Sequence, residues 1–253
     1  MIPYKTYAVI GGDLRQAHIA NKLAAGGKTV YALLLEANKA VKPELVCTEP
    51  PEKILPRCDV IIFPLPLTTD EYYVNAPYST QKVSVADCIS AIKPHTSVFA
   101  GKVSASLRQY AVEAGVSIID YLEREELAVK NAVITAEGAI SIAIEELPIA
   151  LFGSKCLITG HGRISRCLMR ILTAMGAQVT VAARKYGDLA EIEAEGCKAI
   201  HIAALSEEMD RVDLIFNTVP AQILGWNQLS RLKKDALIID LASKPGGVDM
   251  KFR

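Results

Sequence analysis

Gly160-His161-Gly162-Arg163-Ile164-Ser165 fills the slots of a G-x-G-x-x-G turn, with Ser165 at the third glycine. In such a turn the first glycine allows the tight bend, the second lets the backbone approach a pyrophosphate, and the third allows a helix to pack closely on its strand. Serine is small, so Ser165 weakens that packing without forbidding it. The context supports the reading. Lys155–Thr159 is a short apolar run before the turn, and Ile164, Cys167, Leu168, Ile171, Leu172 and Met175 recur after it at helical spacing. A second extended run, Gln178–Ala183, follows Gly176. Strand, glycine turn, helix and strand make half of a dinucleotide-binding unit, with the helix N-terminus facing an anionic ligand.

The end of the second strand bears on which dinucleotide. NAD sites usually place an Asp or Glu there for the ribose 2′-hydroxyl. This chain has Ala182-Ala183-Arg184-Lys185, two cations and no acid. That favours NADP(H), with NAD(H) possible. The plainer alternative is two solvated charges at a strand end. In open α/β sheets ligands sit beyond the carboxyl ends of strands. The other loops expected to line the cofactor are therefore Asn217-Thr218-Val219-Pro220 and Ala242-Ser243. Asn217 and Thr218 would bond ribose or amide, and Pro220 would pack on a ring.

The rest of the chain must position this unit. Its 253 residues suffice for two α/β domains, and half of them are hydrophobic. The net charge is zero, which gives no global field for nucleic acid or an anionic membrane. The six cysteines form no C-x-x-C pair and the four histidines are scattered, so no metal site is expected. The apolar run at Tyr7–Ile10 is too short for a signal peptide, and no apolar stretch reaches the roughly 18 residues of a membrane span. A soluble, cytoplasmic protein is expected.

The first half repeats the alternation of strand and helix. Tyr4–Ile10 and Thr29–Leu35 read as strands around the Gly11-Gly12-Asp13 turn and a helix. This turn has no G-x-G and matches a cofactor site less well. Arg15, just inside its helix, would face an anion there, or is simply a surface arginine. Cys58–Phe63, Thr96–Ala100 and Ser117–Asp120 read as further strands, and Ser104–Ala114 as a helix. A long polar, aromatic loop, Thr68–Lys82, follows Pro64–Leu67. Glu123–Lys130 reads as a short helix, Asn131–Thr135 as extended, and Glu137–Leu151 as a connecting helix despite Pro148. The expected architecture is α/β: two Rossmann-like parallel-sheet domains, residues 1–136 and 152–253, joined by an inter-domain helix over 137–151. The chain stops soon after a strand, where a Rossmann domain usually adds another element, so a C-terminal piece is expected to be missing.

Several stretches carry a closer resemblance. GHGRIS, VTVAARK, DLIFNTVPA and ALIIDLASKPGGVD in the second half, with AVIGGDLRQ, FPLPLTTDEYYVNAPYS and TAEGAISIAIEELP in the first, resemble the dipicolinate synthase A-subunit family of spore-forming bacteria. The resemblance covers nearly the whole chain, and IIDLASKPGGVD and TAEGAI are its most specific parts. It implies an oxidoreductase that works with a flavoprotein-like B-subunit of dipicolinate synthase, in the mother cell of a sporulating bacterium. The implied reaction removes hydrogen from a dihydrodipicolinate-level intermediate of lysine biosynthesis, with NADP or NAD as acceptor. The product is dipicolinic acid. It also implies a fold like that of the 2-hydroxyacid dehydrogenases.

A dianionic substrate needs cations and N–H groups. Arg15, Lys102 and Lys244 are the basic residues best placed by the strand-end rule, and Asn75 and Tyr78 could close over the ligand. Lys102, Asp120 at a strand end and Glu137 at the head of the connecting helix are the catalytic candidates. His161 is expected beside the phosphates. Two other readings stand beside this one. In the first, the chain is a nucleotide- or substrate-binding scaffold and its partner does the chemistry. In the second it is a shikimate-type dehydrogenase, which ranks low because no Lys/Asp catalytic pair stands out in the first half.

Overall fold

The structure is a computed structural model; it describes residues 5–243 and 246–249. The chain forms two compact units, residues 1–127 and 128–253.

The first unit is a six-stranded parallel sheet in the order β3-β2-β1-β4-β5-β6. Its strands are β1 (Thr6–Ile10), β2 (Thr29–Leu33), β3 (Val46–Cys47), β4 (Val60–Ile62), β5 (Ser97–Ala100) and β6 (Ile118–Asp120). The helices between them are α1 (Leu14–Ala25), α2 (Pro51–Ile54), α3 (Val85–Ser90) and α4 (Ala105–Glu113). Successive strand residues serve opposite faces. Ala8 and Ile10 belong to one apolar cluster and Val9 to another, with Ala17 and Ala20 of α1. The sheet is thus covered on both sides, which explains its nearly unbroken apolar strands.

The second unit opens with α5 (Glu125–Glu146), which begins just before the division between the units. This helix is a correction. The stretch expected to be extended, Asn131–Thr135, is helical, and the helix expected over 137–151 is the later part of a longer one. The β-branched run Val133-Ile134-Thr135 suggests a strand. Ala132, Ala136, Ala139 and Ala143 are buried at helical spacing and decide the matter. The helix stops at Glu146, just before Leu147-Pro148, as the residue preceding a proline requires. By length and composition α5 is also apolar enough to cross a membrane, contrary to the expectation from the sequence. Its alanine stripe, however, sits in the apolar cluster of the second unit with Cys156, Ile158 and Leu168.

A five-stranded parallel sheet follows, in the order β11-β10-β7-β8-β9. It contains β7 (Lys155–Thr159), β8 (Gln178–Ala183), β9 (Lys198–His201), β10 (Leu214–Asn217) and β11 (Leu237–Asp240). The helices are α6 (Arg163–Ala174), α7 (Tyr186–Ala194) and α8 (Trp226–Leu229). The strand order reverses beside β7, where both β8 and β10 are its neighbours. That switch point is where open α/β sheets hold ligands.

Candidate nucleotide site and strand-end cluster

In the second unit the glycine turn leaves β7 after Thr159. Gly160 has φ +89°, in the left-handed region, and a Cβ there would lie 2.8 Å from Thr218 Oγ1 and 3.0 Å from Val219 Cγ2. The fold itself therefore demands this glycine. Gly162 differs. Its φ of −88° suits any residue, and a Cβ would meet no atom of the chain within 4 Å. Neither φ nor packing demands a glycine here, whereas a dinucleotide turn does, because a pyrophosphate must approach this backbone. Gly162 is the N-cap of α6, with no side chain to cap the helix and no acidic residue in the first turn. A helix N-terminus of this kind, with no capping side chain and no acid in its first turn, suits an anion.

Ser165, in place of the third glycine, is fully buried. Its hydroxyl donates to Thr218 Oγ1 at 2.9 Å, since the Thr218 hydroxyl already donates to the Thr159 carbonyl at 2.7 Å. The serine thus links α6 to the loop after β10 rather than merely being tolerated.

Asn217, expected to bond the cofactor, has its side chain committed elsewhere. The residue is fully buried, and its Nδ2 donates to Asp240 Oδ1 at 2.8 Å and to the Val219 carbonyl at 3.1 Å. Its Oδ1 accepts from Thr159 Oγ1 at 2.5 Å and from the Val219 N–H at 3.2 Å. Both amide hydrogens and both acceptor positions are used, so nothing is left for a ligand. Asn217 instead joins the ends of β7, β10 and β11. Asp240 continues the network by accepting the N–H groups of Ala242 and Gly247 at 3.1 and 3.0 Å. Thr218 is likewise spent through its hydroxyl. Val219 is half-buried, while Pro220, Ser243, Arg184 and Lys185 are exposed at the strand ends. Ile164 packs on the core below the turn, and Arg163 is exposed at the first position of α6. Lys244 lies outside the described residues.

The His161 side chain faces α7. Its Nδ1 lies 3.8 Å from Glu191 Oε2 and 3.9 Å from Asp188 Oδ1, and neither ring nitrogen has a hydrogen-bond partner among the described residues. Only its backbone remains with the turn. Sequence reasoning missed His201. Its Nδ1 accepts the Ala203 N–H at 3.2 Å, which leaves Nε2 to donate to the Arg184 carbonyl at 3.1 Å. Tyr186 stacks on the same ring with centroids 5.8 Å apart. The position of His201 at the end of β9, beside β8, is the signal that could have found it.

The first unit's glycine turn is closed by its own chain. Gly11 and Gly12 have φ of +55° and +78°. A Cβ on Gly11 would lie 2.7 Å from the Asn75 carbonyl oxygen, and one on Gly12 would lie 2.9 Å from Pro64 Cβ. The Gly12 N–H donates to the Asn75 carbonyl at 2.8 Å. The α1 N-terminus already has a carboxylate, because Asp13 accepts the Arg15 N–H at 2.9 Å. Arg15 in turn grips Asp13 through Nε and Nη2, and Nη2 also donates to the Leu65 carbonyl at 2.9 Å. The Arg15 guanidinium holds the Asp13 carboxyl below its usual range.

Around Arg15 the ends of β1, β4, β5 and β6 converge. A Cβ on Gly101 would lie 2.8 Å from both Leu65 and Tyr121, and Lys102 follows with φ +57° and an exposed side chain. The Tyr121 hydroxyl donates to the Phe63 carbonyl at 3.2 Å, and burial pushes its phenol up to about 12. Asp120, expected as a catalytic base, is buried, and accepts the N–H groups of Lys102, Val103 and Leu122 at 3.1, 2.7 and 2.9 Å. It straps two loops together. Glu137 does not head a helix; it is exposed in the middle of α5. Asn75 donates from Nδ2 to the Pro66 carbonyl at 3.3 Å, and the Tyr78 carbonyl accepts the Ala37 N–H at 3.0 Å. The Asn75–Tyr78 segment is thereby laid over the ends of β1, β2 and β4. The structure thus brings Arg15, Lys102 and Asn75 to one strand-end region.

Comparison with known proteins agrees with this division. The family model for the N-terminal domain of the dipicolinate synthase A-subunit matches residues 6–122. A curated protein named as the dipicolinate synthase A-subunit, from Bacillus subtilis (strain 168), is 33% identical over 246 residues, covering 97% of this chain and 83% of that protein. The chain belongs to the dipicolinate synthase A-subunit family. Residues 118–245 match the NAD-binding domain of the D-isomer specific 2-hydroxyacid dehydrogenases, so the second unit is a nicotinamide-cofactor domain of an oxidoreductase type. Two family members have crystal structures that this chain resembles along its full length. The dipicolinate synthase A-subunit from Bacillus subtilis has a TM-score of 0.86 at 32% identity, with 85% of that chain covered. Its counterpart from Bacillus halodurans has a TM-score of 0.88 at 28% identity, with 87% covered.

Proposed function

We propose that the chain is the nicotinamide-binding oxidoreductase component of a dipicolinate synthase. It would use NADP in preference to NAD to oxidise a dihydrodipicolinate-level dicarboxylate to dipicolinic acid during sporulation. The observation that carries this reading is Gly162, a glycine that neither φ nor packing demands, at the N-terminus of α6 and one strand away from Arg184 and Lys185. The nicotinamide, when bound, would accept the hydride removed from the ring. The chain's own residues would hold and orient the reactants. The turn amides of Gly160–Ile164 would hold the pyrophosphate, and Val219, Pro220 and Ala242 would line the cofactor. Arg184 and Lys185 would face a 2′-phosphate, with His201 fixing the Arg184 backbone. In the first unit Arg15 and Lys102 would offer cations to the substrate carboxylates, with Asn75 and Tyr78 closing over them.

A second reading is favoured by Asp120, whose two carboxylate oxygens are spent on three backbone amides of its own unit. In that reading the flavoprotein-like B-subunit completes the chemistry. Turnover by the chain alone supports the first reading, and turnover only with the flavoprotein-like partner supports the other.

The cofactor choice has its own test. Arg184→Asp should weaken NADP(H) binding about tenfold or more and leave NAD(H) nearly unchanged. Equal losses for both nucleotides would remove the 2′-phosphate role.

A further inference from the structure

The amino ends of the second sheet border a cavity that the nucleotide reading does not use. Lys155, Gln178 and Lys198 are the first residues of β7, β8 and β9, so this is the edge opposite the glycine turn. The ladders pair Lys155 with Gln178 and Thr180 with Lys198, which puts all four on one face of the sheet. Further along that face Leu157, Ala182 and Ile200 are covered by Leu205, Met209 and Val212. The cover comes from a short 3-10 helix, Ile202–Glu207, and the turn after it. It stops short of the strand starts, where a cavity of about 410 Å³ remains, a size in the range of small-molecule sites.

Lysines at strand starts are by themselves ordinary solvated charges. Two observations point further. Thr180 lies inside a strand of a parallel sheet, where apolar residues are the rule, and its hydroxyl has no hydrogen-bond partner among the described residues. The lining is also cationic. Lys155, Lys198 and Arg211 line the cavity against a single acid, Glu208, which Lys198 Nζ already holds at 2.6 Å. The Lys155 side chain has no hydrogen bond or ion pair among the described residues, and Asp213, the acid it influences, is taken by Lys233 Nζ at 2.6 Å. Arg211 has only Asp210, at 3.8 Å, with both side chains mostly exposed.

We propose that this cavity binds a small metabolite carrying two or more negative charges, held by Lys155, Lys198, Arg211 and the Thr180 hydroxyl. Phosphate and carboxylate groups share the chemistry that these donors recognise. The site lies at the opposite end of the strands from the glycine turn and does not depend on the function proposed above.

Titration of the isotope-labelled full chain with citrate and with inorganic phosphate, followed by backbone amide NMR, tests the proposal. At least one anion should move the amides of residues 155, 178–180, 196–198 and 208–212 together and saturably. A response to citrate alone identifies a polycarboxylate site, and a response to phosphate alone a site for phosphorylated metabolites. Lys155→Gln and Arg211→Gln should each weaken that binding about tenfold, and Thr180→Val about threefold. Both cations are exposed, so thermal melts of their variants should match wild type and serve as the folding control. If neither anion moves these amides, the proposal is overturned. Shifts confined to the glycine turn or to the Arg15 region would also overturn it, as would an affinity indifferent to both charge removals.

Discussion

The carbonyl of Asn75 accepts the Gly12 N–H at 2.8 Å, so the first glycine turn is filled by a loop of its own unit. Asp13 caps the adjoining helix N-terminus. The second turn is covered at Gly160 by Thr218 and Val219, but a Cβ on Gly162 would meet none of the described residues within 4 Å, and the first turn of its helix carries no acid. Two similar sequence patterns, strand, glycine turn and helix, have thus been given different tasks. One turn is closed by its own unit, and the other is open at Gly162, as the nucleotide site proposed above requires.

The Asn217 network should matter for stability more than for ligand contact. Asn217→Ala removes a side chain making four hydrogen bonds in a buried site and leaves Thr159 short of a partner. A loss of about 1–3 kcal/mol is expected, read from the urea midpoint. Asn217→Asp should cost more at neutral pH, because it sets a second carboxylate against Asp240.

Asp213 makes the second unit acid-sensitive. Its burial raises the carboxyl pKa, but bonds from Lys233 Nζ at 2.6 Å and the Lys155 N–H at 2.8 Å outweigh this and hold it below 3.8. A depressed folded value contributes stability above the unfolded value and loses it as pH falls through the folded one. Wild type should therefore exceed Asp213→Asn by about 1 kcal/mol near neutral pH, and the gap should close as pH falls below the ordinary carboxylate value. Equilibrium unfolding across that range checks it. A gap that is constant with pH would mean that the carboxylate charge is not what ties β7 to Lys233.

All of the cysteines but Cys47 should be inert in the native state. Burial pushes the Cys58 thiol up to about 11 and Cys88 to about 12, and raises Cys156 as well. Cys167 and Cys197 are also buried, which leaves the half-buried Cys47. A thiol-reactive dye at mildly alkaline pH should label Cys47 alone until denaturant is added, and Cys47→Ser should abolish the native signal.

How much of the fold and site is legible in the sequence depends on how local the cause is. The turn at Gly160–Ser165 is punctuated by its own glycines and followed by a strongly periodic helix, so both its place and its helix can be read directly. The role of Asn217 cannot, because its partners Thr159 and Asp240 meet it only when β7, β10 and β11 align in one sheet. Asp120 misleads for the same reason: a carboxylate at a strand end looks catalytic until the Lys102 and Val103 amides are seen to use it. Along α5 the local β-branched preference of Val133-Ile134-Thr135 suggests extension, but tertiary burial of the alanines wins. The closure of the Gly12 turn is hidden as well, since Asn75 is distant in sequence and acts through its backbone.

The most direct test of where the nucleotide binds is a fluorescence titration with NADPH of the wild type, Gly162→Val and Gly12→Ala. Gly162→Val places a side chain where the chain has no atoms, so it should melt close to wild type yet bind NADPH at least about a hundredfold more weakly. Gly12→Ala forces a Cβ at φ +78° toward Pro64, so it should be less stable by about 1–3 kcal/mol while its folded molecules bind NADPH normally. Normal NADPH binding by folded Gly162→Val, or loss of binding confined to Gly12→Ala, would contradict the placement of the nucleotide at the second turn.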